Sequence, residues 1–134
     1  MKEFYKKAQT LRPRPLLTES FKHFDSVDSE NAVYDLGCGV GQDTFALVKK
    51  GFNVKSVDIS AEAFSFMDKR FGKSEFVEQI VSSLEDLAMD KTSFVNASLV
   101  LPFVKDNHFQ DVMEKIKDSL VEGGLFVGSF FGPK

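Results

Sequence analysis

The sequence has little of the chemistry that cross-links and metal sites require. Its 134 residues include one cysteine, Cys38, and two histidines, so no internal disulfide can form and no metal-ligand set is evident. Basic residues are not in surplus either, since 17 Lys and Arg stand against 20 Asp and Glu for a net charge of −3. This balance argues against nucleic acid and anionic membranes as partners, and we expect small molecules or proteins instead.

Long apolar runs are also missing. Four of the first seven residues are charged, where a signal peptide needs an apolar stretch, and no run approaches the length of a membrane span. We therefore expect a cytoplasmic protein. The length fits a single domain over residues 1–134, with a helical N-terminal preamble over residues 1–30 and a core over residues 31–134.

Short apolar runs alternate with amphipathic stretches along the core, which predicts a parallel α/β sheet. The predicted strands cover residues 32–36, 53–57, 75–81, 93–100 and 125–131. The last predicted helix carries an apolar stripe from Phe109 to Leu120. Gly123 and Gly124 are predicted to end its turn, and the strand after them is predicted to be fully buried.

A glycine-rich loop follows the first predicted strand. Gly37, Gly39 and Gly41 permit a tight turn and close approach of a ligand, and the next helix offers its N–H groups to a carboxylate or phosphate. Asp58 ends the second predicted strand, where an acidic side chain can accept both hydroxyls of a ribose. Gln42 stands where a dinucleotide fingerprint needs Gly or Ala, and no nucleoside-triphosphate loop is present.

Residues 32–43, Ala-Val-Tyr-Asp-Leu-Gly-Cys-Gly-Val-Gly-Gln-Asp, resemble the first motif of class I S-adenosylmethionine-dependent methyltransferases. Residues 51–60 are similar to the second motif, and residues 119–126 to the stretch that leads into strand five. The resemblance spans about residues 14–131. The Gly-Gln-Asp-Thr ending of the loop and the Arg-Pro-Arg-Pro-Leu-Leu lead-in resemble the branch of small-molecule methyltransferases associated with tellurite resistance.

The resemblance implies a three-layer Rossmann-like fold with a mostly parallel sheet of about five strands in the order 3-2-1-4-5. It implies S-adenosylmethionine as cofactor and methyl transfer by in-line displacement to a small-molecule acceptor. The family's C-terminal antiparallel hairpin has no counterpart in this sequence. The alternative is therefore a non-catalytic or partner-dependent module that binds the cofactor, equivalent to a truncated methyltransferase.

The resemblance also implies a set of cofactor contacts. Asp58 would hold the ribose and Ile59 would pack on the adenine. Ser83 stands where the family usually has an acidic residue for the adenine amino group, so either adenine recognition is weaker here or Glu85 or Asp86 substitutes. The full set of implied contacts is Asp35, Gly37, Cys38, Gly39, Gly41, Asp58, Ile59, Ser83, Leu84 and Asn96.

No residue of the sequence stands out as a catalytic base. Asn96 or Ala97, at the end of strand four, would lie beneath the reactive methyl. His108 would lie near the substrate mouth or be a solvated residue at a helix start. The substrate candidates are Tyr5, Arg14 and Phe103, which are alternatively core or linker residues. Cys38 is interpreted as a small loop residue rather than a nucleophile.

The chain is short for the fold that its motifs imply. Three explanations stay open: a fragment, a shortened family member, or a dimer in which a second chain covers the edge of strand five. An apolar edge strand is a site for pairing with another chain. We therefore expect a homodimer formed through the strand-five edge.

Overall fold

Five strands form one parallel sheet in the structure, a computed structural model that describes residues 15–26, 31–97 and 106–128. The strands are β1 (Val33–Leu36), β2 (Val54–Asp58), β3 (Val77–Val81), β4 (Thr92–Ala97) and β5 (Leu120–Gly128). Their spatial order, β3-β2-β1-β4-β5, confirms the order 3-2-1-4-5 that the resemblance implies. Every pairing in this sheet is parallel. The carboxyl ends of the strands therefore meet at one edge, where ligands bind in such folds.

Helices cover both faces of the sheet. They are α1 (Pro15–Ser20), which continues as a 3-10 helix (Phe21–Ser26), then α2 (Gln42–Lys49), α3 (Ala61–Phe71) and α4 (Asp106–Ser119). Successive residues of a strand point to opposite faces, so Tyr34 packs with Val112 of α4 on one face. Val33 packs with Leu17 of α1 and Leu47 of α2 on the other. This arrangement confirms the three-layer α/β fold.

The last strand begins earlier than its sequence pattern predicts. Leu120 was predicted to belong to the preceding helix, but it pairs with Thr92, and Leu125 pairs with Phe94. Gly123 has a φ of 81° and lies in an irregular part of this ladder, so the two glycines form a bulge within β5 rather than the turn before it. The prediction that they separate helix from strand was wrong.

The prediction that this strand is fully buried was also wrong. Val127 is buried, but Glu122 and Gly123 are exposed and most of the other β5 residues are half-buried. The reason is that β5 lies at the edge of the sheet and pairs with β4 on one side. Residues 129–131 of the predicted strand lie outside the described ranges.

The remaining predicted strands begin within two residues of their observed starts. The helix predicted to start at Pro15 does so, but its α-helical part ends at Ser20. In residues 15–26, 31–97 and 106–128, no helix has both the length and the hydrophobicity that a bilayer span needs.

Candidate functional site

The glycine-rich loop joins β1 to α2 at the carboxyl edge of the sheet. Gly37, Gly39 and Gly41 have φ values of 68°, 56° and 96°, a left-handed backbone that glycine adopts without strain. The loop is fixed to β2 because the backbone N–H groups of Gly37 and Cys38 both donate to the carbonyl of Val57, at 2.7 and 3.0 Å. The three glycines therefore give the loop a defined shape.

The surroundings of two of these glycines differ sharply. A Cβ atom at Gly41 would lie 2.8 Å from Met67 Cγ of α3 and 3.0 Å from its Cε, so α3 packs directly against the loop there. A Cβ atom at Gly39 would have no neighbour within 4 Å. The backbone at Gly39 is therefore accessible to an approaching group, as a loop that binds a ligand requires.

Asp58 connects the glycine loop to the end of β2. Its Oδ2 accepts a hydrogen bond of 3.0 Å from the backbone N–H of Gly39, and its Oδ1 accepts one of 2.9 Å from Ser60. The carboxylate is half-buried, and the neighbouring Ile59 exposes 74% of its surface. The structure thus brings together the glycine loop, the predicted ribose acceptor and an apolar side chain beside it.

A buried polar network lies beneath the loop. Asn96 Nδ2 donates to Asp35 Oδ1 at 3.0 Å and to Asp43 Oδ2 at 3.1 Å. Thr44 Oγ1 donates to Asp35 Oδ2 at 2.6 Å and lies 2.7 Å from Ser56 Oγ. Because the single hydroxyl proton of Thr44 is used on Asp35, Ser56 is the donor in the second contact. The network joins β1, β2 and β4 to the first turn of α2.

This network gives Asn96 a definite structural position. Its amide nitrogen is shared between two buried carboxylates, and the residue is 1% exposed. Asp35 likewise supports the loop from below. Asp43, Thr44 and Ser56 were not predicted from the sequence as parts of the site. Two features of the sequence could have indicated them. Polar residues follow the glycines in the first turn of the helix, and one serine stands between the apolar valines of the second strand.

The segment after β3 contains the predicted adenine side of the site. Ser83 Oγ accepts a hydrogen bond from the Asp86 N–H at 3.2 Å, which orders the turn between them. The Leu84 side chain is buried in the core cluster, and its contact with a ligand stays a prediction. Lys115 Nζ of α4 donates to the carbonyls of Leu84 and Glu85 at 2.8 and 2.9 Å and ties this turn to the helix.

Gln42 is the first residue of α2. It is 5% exposed, and its Oε1 has no hydrogen-bond partner among the described residues. The residue that caps this helix is Gly41, which contributes no side-chain hydrogen bond. The first turn of α2 therefore presents backbone N–H groups without a side-chain cap, next to a buried acceptor.

Cys38 is buried within the loop. Burial raises the pKa of its thiol well above the ordinary value, and the nearby charges of Asp35 and Asp58 raise it further. A thiol with a raised pKa stays protonated at neutral pH and is a poor nucleophile. Its position fits the interpretation as a small loop residue.

The other predicted site residues fall into two groups. His108 lies in the first part of α4 and is half-buried, so its role stays a prediction. Tyr5, Arg14 and Phe103 lie outside the described residues. Within the described ranges, no cluster of three or more His, Cys, Asp or Glu side chains is arranged to hold a metal ion.

Comparison with solved structures places this fold among methyltransferases. TehB from Haemophilus influenzae superposes with a TM-score of 0.76 at 19% sequence identity, over 93% of this chain and 43% of that one. The glycopeptide N-methyltransferase MtfA, solved in complex with S-adenosylmethionine, gives a TM-score of 0.69 at 16% identity, over 84% of this chain and 48% of that one. At these identities the similarity is one of fold.

Sequence comparison gives the family. A carboxy-S-adenosyl-L-methionine synthase from Psychrobacter arcticus is 27% identical over 111 residues, which are 77% of this chain and 42% of that protein. The chain thus spans less than half the length of this curated relative. The sequence pattern of the family described as "Methyltransferase domain" matches residues 33–124, a stretch that contains the glycine loop, Asp58 and the buried network. The chain therefore belongs to the methyltransferase domain family.

Proposed function

We propose that this protein binds S-adenosylmethionine at the glycine loop and transfers its methyl group to a small-molecule acceptor. The observation that carries the proposal is the position of Asp58. Its carboxylate lies 3.0 Å from the Gly39 N–H, at the carboxyl edge of the sheet and beside the exposed Ile59. The carboxylate that we propose for the ribose, the accessible loop backbone and the side chain that we propose for the adenine thus lie side by side.

The residues present fit this cofactor. The space around Gly39 leaves its backbone accessible, and the first turn of α2 offers N–H groups to a carboxylate. Asp58 would hold the ribose hydroxyls, Ile59 would pack on the adenine, and the loop backbone would lie along the amino-acid part. MtfA, which shares the fold, is solved with S-adenosylmethionine bound.

The chemistry divides simply between cofactor and protein. When bound, S-adenosylmethionine supplies a methyl group already activated by its sulfonium. The protein must then orient the acceptor and exclude water, and good orientation alone can lower a barrier by about 7–11 kcal/mol. A general base is needed only for an acceptor that must first lose a proton.

A second candidate function is a module that binds the cofactor without catalysis. Two observations favour it. The Asn96 amide nitrogen is committed to Asp35 and Asp43 rather than to a reacting group. Ser83, which stands at the position of the usual adenine-binding carboxylate, is engaged in ordering its own turn. In this case a partner would supply the acceptor site.

Binding should be tested first, by isothermal titration calorimetry with S-adenosylhomocysteine. We expect Asp58→Asn to weaken binding by roughly tenfold or more, because a charge-assisted hydrogen bond is lost. Asp111→Asn, an exposed aspartate on α4, is the matched control and should leave affinity unchanged. The proposal fails if the wild-type protein does not bind at millimolar concentration, or if Asp58→Asn binds equally well.

Turnover separates the two candidate functions. The protein is incubated with S-adenosylmethionine and a panel of thiols, amines, hydroxylated metabolites and metalloid oxyanions, and the products are followed by mass spectrometry. Formation of S-adenosylhomocysteine with a methylated acceptor supports the enzyme. Binding without turnover supports the module. The same spectra reveal any carboxylated cofactor, the product for which the Psychrobacter arcticus relative is named.

A further inference from the structure

The buried oxygen of Gln42 is a polar atom that the site described above does not explain. Gln42 is 5% exposed, and its Oε1 has no hydrogen-bond partner among the described residues. A buried carbonyl oxygen without a donor is unfavourable, and such groups in proteins are nearly always satisfied by a partner. The position of Gln42, directly after Gly41 in the glycine loop, indicates that the partner is a ligand.

The surroundings of Gln42 define which chemical group fits. An amide oxygen accepts hydrogen bonds and does not donate them, so the missing partner is a donor. The next residue in the same helical turn, Asp43, carries a buried carboxylate, and its negative charge favours a cationic donor over a neutral one. In the same turn, the backbone N–H groups at the start of α2 attract an anion. A zwitterionic amino acid presents both groups close together.

We propose that Gln42 Oε1 accepts a hydrogen bond from the ammonium of the cofactor's amino-acid part, while its carboxylate lies against the first turn of α2. This inference rests on the proposed function. It gives Gln42 a binding role at a position where a dinucleotide-binding loop needs Gly or Ala. The sequence alone does not explain a glutamine there. It also predicts that the site discriminates strongly between ligands with and without the ammonium.

The test uses three ligands and three proteins. The ligands are S-adenosylhomocysteine, its deamino analogue, which lacks the ammonium, and 5′-methylthioadenosine, which lacks the whole amino-acid part. The proteins are the wild type, Gln42→Met, which keeps the side-chain volume but removes the acceptor, and Gln110→Met. Gln110 is an exposed glutamine on α4 that contacts Glu114, and it is the matched control. Affinities are measured by calorimetry.

We expect Gln42→Met to lower the affinity for S-adenosylhomocysteine by roughly 10- to 100-fold, the range for a hydrogen bond to a charged group. Its affinities for the deamino analogue and for 5′-methylthioadenosine should match those of the wild type, and Gln110→Met should match throughout. Without ligand, Gln42→Met should melt at or above the wild-type temperature, because it removes an unsatisfied buried oxygen. If methionine does not fit, Gln42→Leu provides the same comparison.

Each contrary result has a distinct meaning. Equal losses for all three ligands would mean that the substitution disturbs the helix and would overturn the inference. Unchanged affinity for S-adenosylhomocysteine would mean that water satisfies Oε1, and would overturn it too while leaving the proposed function intact. If the wild-type protein binds none of the three ligands, the proposed function and the inference fall together.

Discussion

Alanine substitutions at Gly39 and Gly41 should both be unfavourable, but Gly41→Ala should cost more stability and Gly39→Ala should cost more ligand affinity. The two positions share a left-handed backbone, with φ values of 56° and 96°. They differ in their neighbours, since a Cβ at Gly41 would meet Met67 Cγ at 2.8 Å and a Cβ at Gly39 would meet nothing within 4 Å. The pair therefore separates backbone strain from crowding.

The magnitudes follow from these two terms. A left-handed backbone costs an alanine about 1–2 kcal/mol, and this is the whole expected loss for Gly39→Ala. Crowding against a buried side chain adds about 1–3 kcal/mol, at the lower end here because methionine is flexible. We therefore expect Gly41→Ala to lower the unfolding free energy by roughly 2–4 kcal/mol.

Urea denaturation measures both losses of unfolding free energy. Circular dichroism serves as the signal, because the sequence has no tryptophan for fluorescence. A double-mutant cycle of Gly41→Ala with Met67→Ala isolates the crowding and should show a favourable coupling of about 1–2 kcal/mol. In calorimetry with S-adenosylhomocysteine, Gly39→Ala should lose more affinity than Gly41→Ala, because its added methyl occupies the space through which a ligand approaches. Equal stability losses at the two positions, or zero coupling with Met67, would refute this account of the loop.

Asn96→Leu should lower the unfolding free energy by about 3 kcal/mol in urea denaturation, because two buried carboxylates lose a donor. The control, Asn107→Leu at the exposed start of α4, should have little effect. The hydrogen bond from Lys55 lowers the pKa of Asp90, so this pair stabilises the fold above the ordinary aspartate pKa. That contribution is lost as the pH falls through the lowered pKa of Asp90 in the folded state. Asp90→Asn should therefore reduce the fall in melting temperature at acidic pH. An unchanged fall in melting temperature would contradict this prediction. Because burial raises the pKa of the Cys38 thiol, iodoacetamide should alkylate the native protein far more slowly than the urea-unfolded chain at the same pH, and equal rates would show the thiol to be accessible. We also propose self-association through the β5 edge, for which sedimentation at micromolar concentration should show a dimer; a monomer without exposed-hydrophobe dye binding would contradict it.

Local sequence was sufficient for the features that depend on neighbouring residues. The positive φ values of Gly37, Gly39 and Gly41 follow from a tight turn between a buried strand and a helix. The contact between Asp58 and this loop follows from the parallel order of β1 and β2, whose carboxyl ends must meet. The strand order itself came from the family resemblance rather than from periodicity.

The features that sequence did not predict depend on distant contacts. Asn96 lies 61 residues from Asp35 and 53 from Asp43, so no local pattern indicates their hydrogen bonds. Leu120 fits the helical stripe of α4, yet it lies in β5 and packs against the same core cluster. The apolar character of Leu120 therefore could not show whether it belongs to the helix or to the strand.

The hydrogen bond between Asp58 and the Gly39 N–H has a kinetic consequence. It holds the glycine loop in shape by a contact within the protein, so this loop itself does not have to fold when a ligand arrives. An incoming ribose would exchange one partner of an existing carboxylate rather than order a loose chain. We therefore expect ligand association at the loop to be limited by diffusion and access, and differences in affinity among ligands to arise mainly in their dissociation rates.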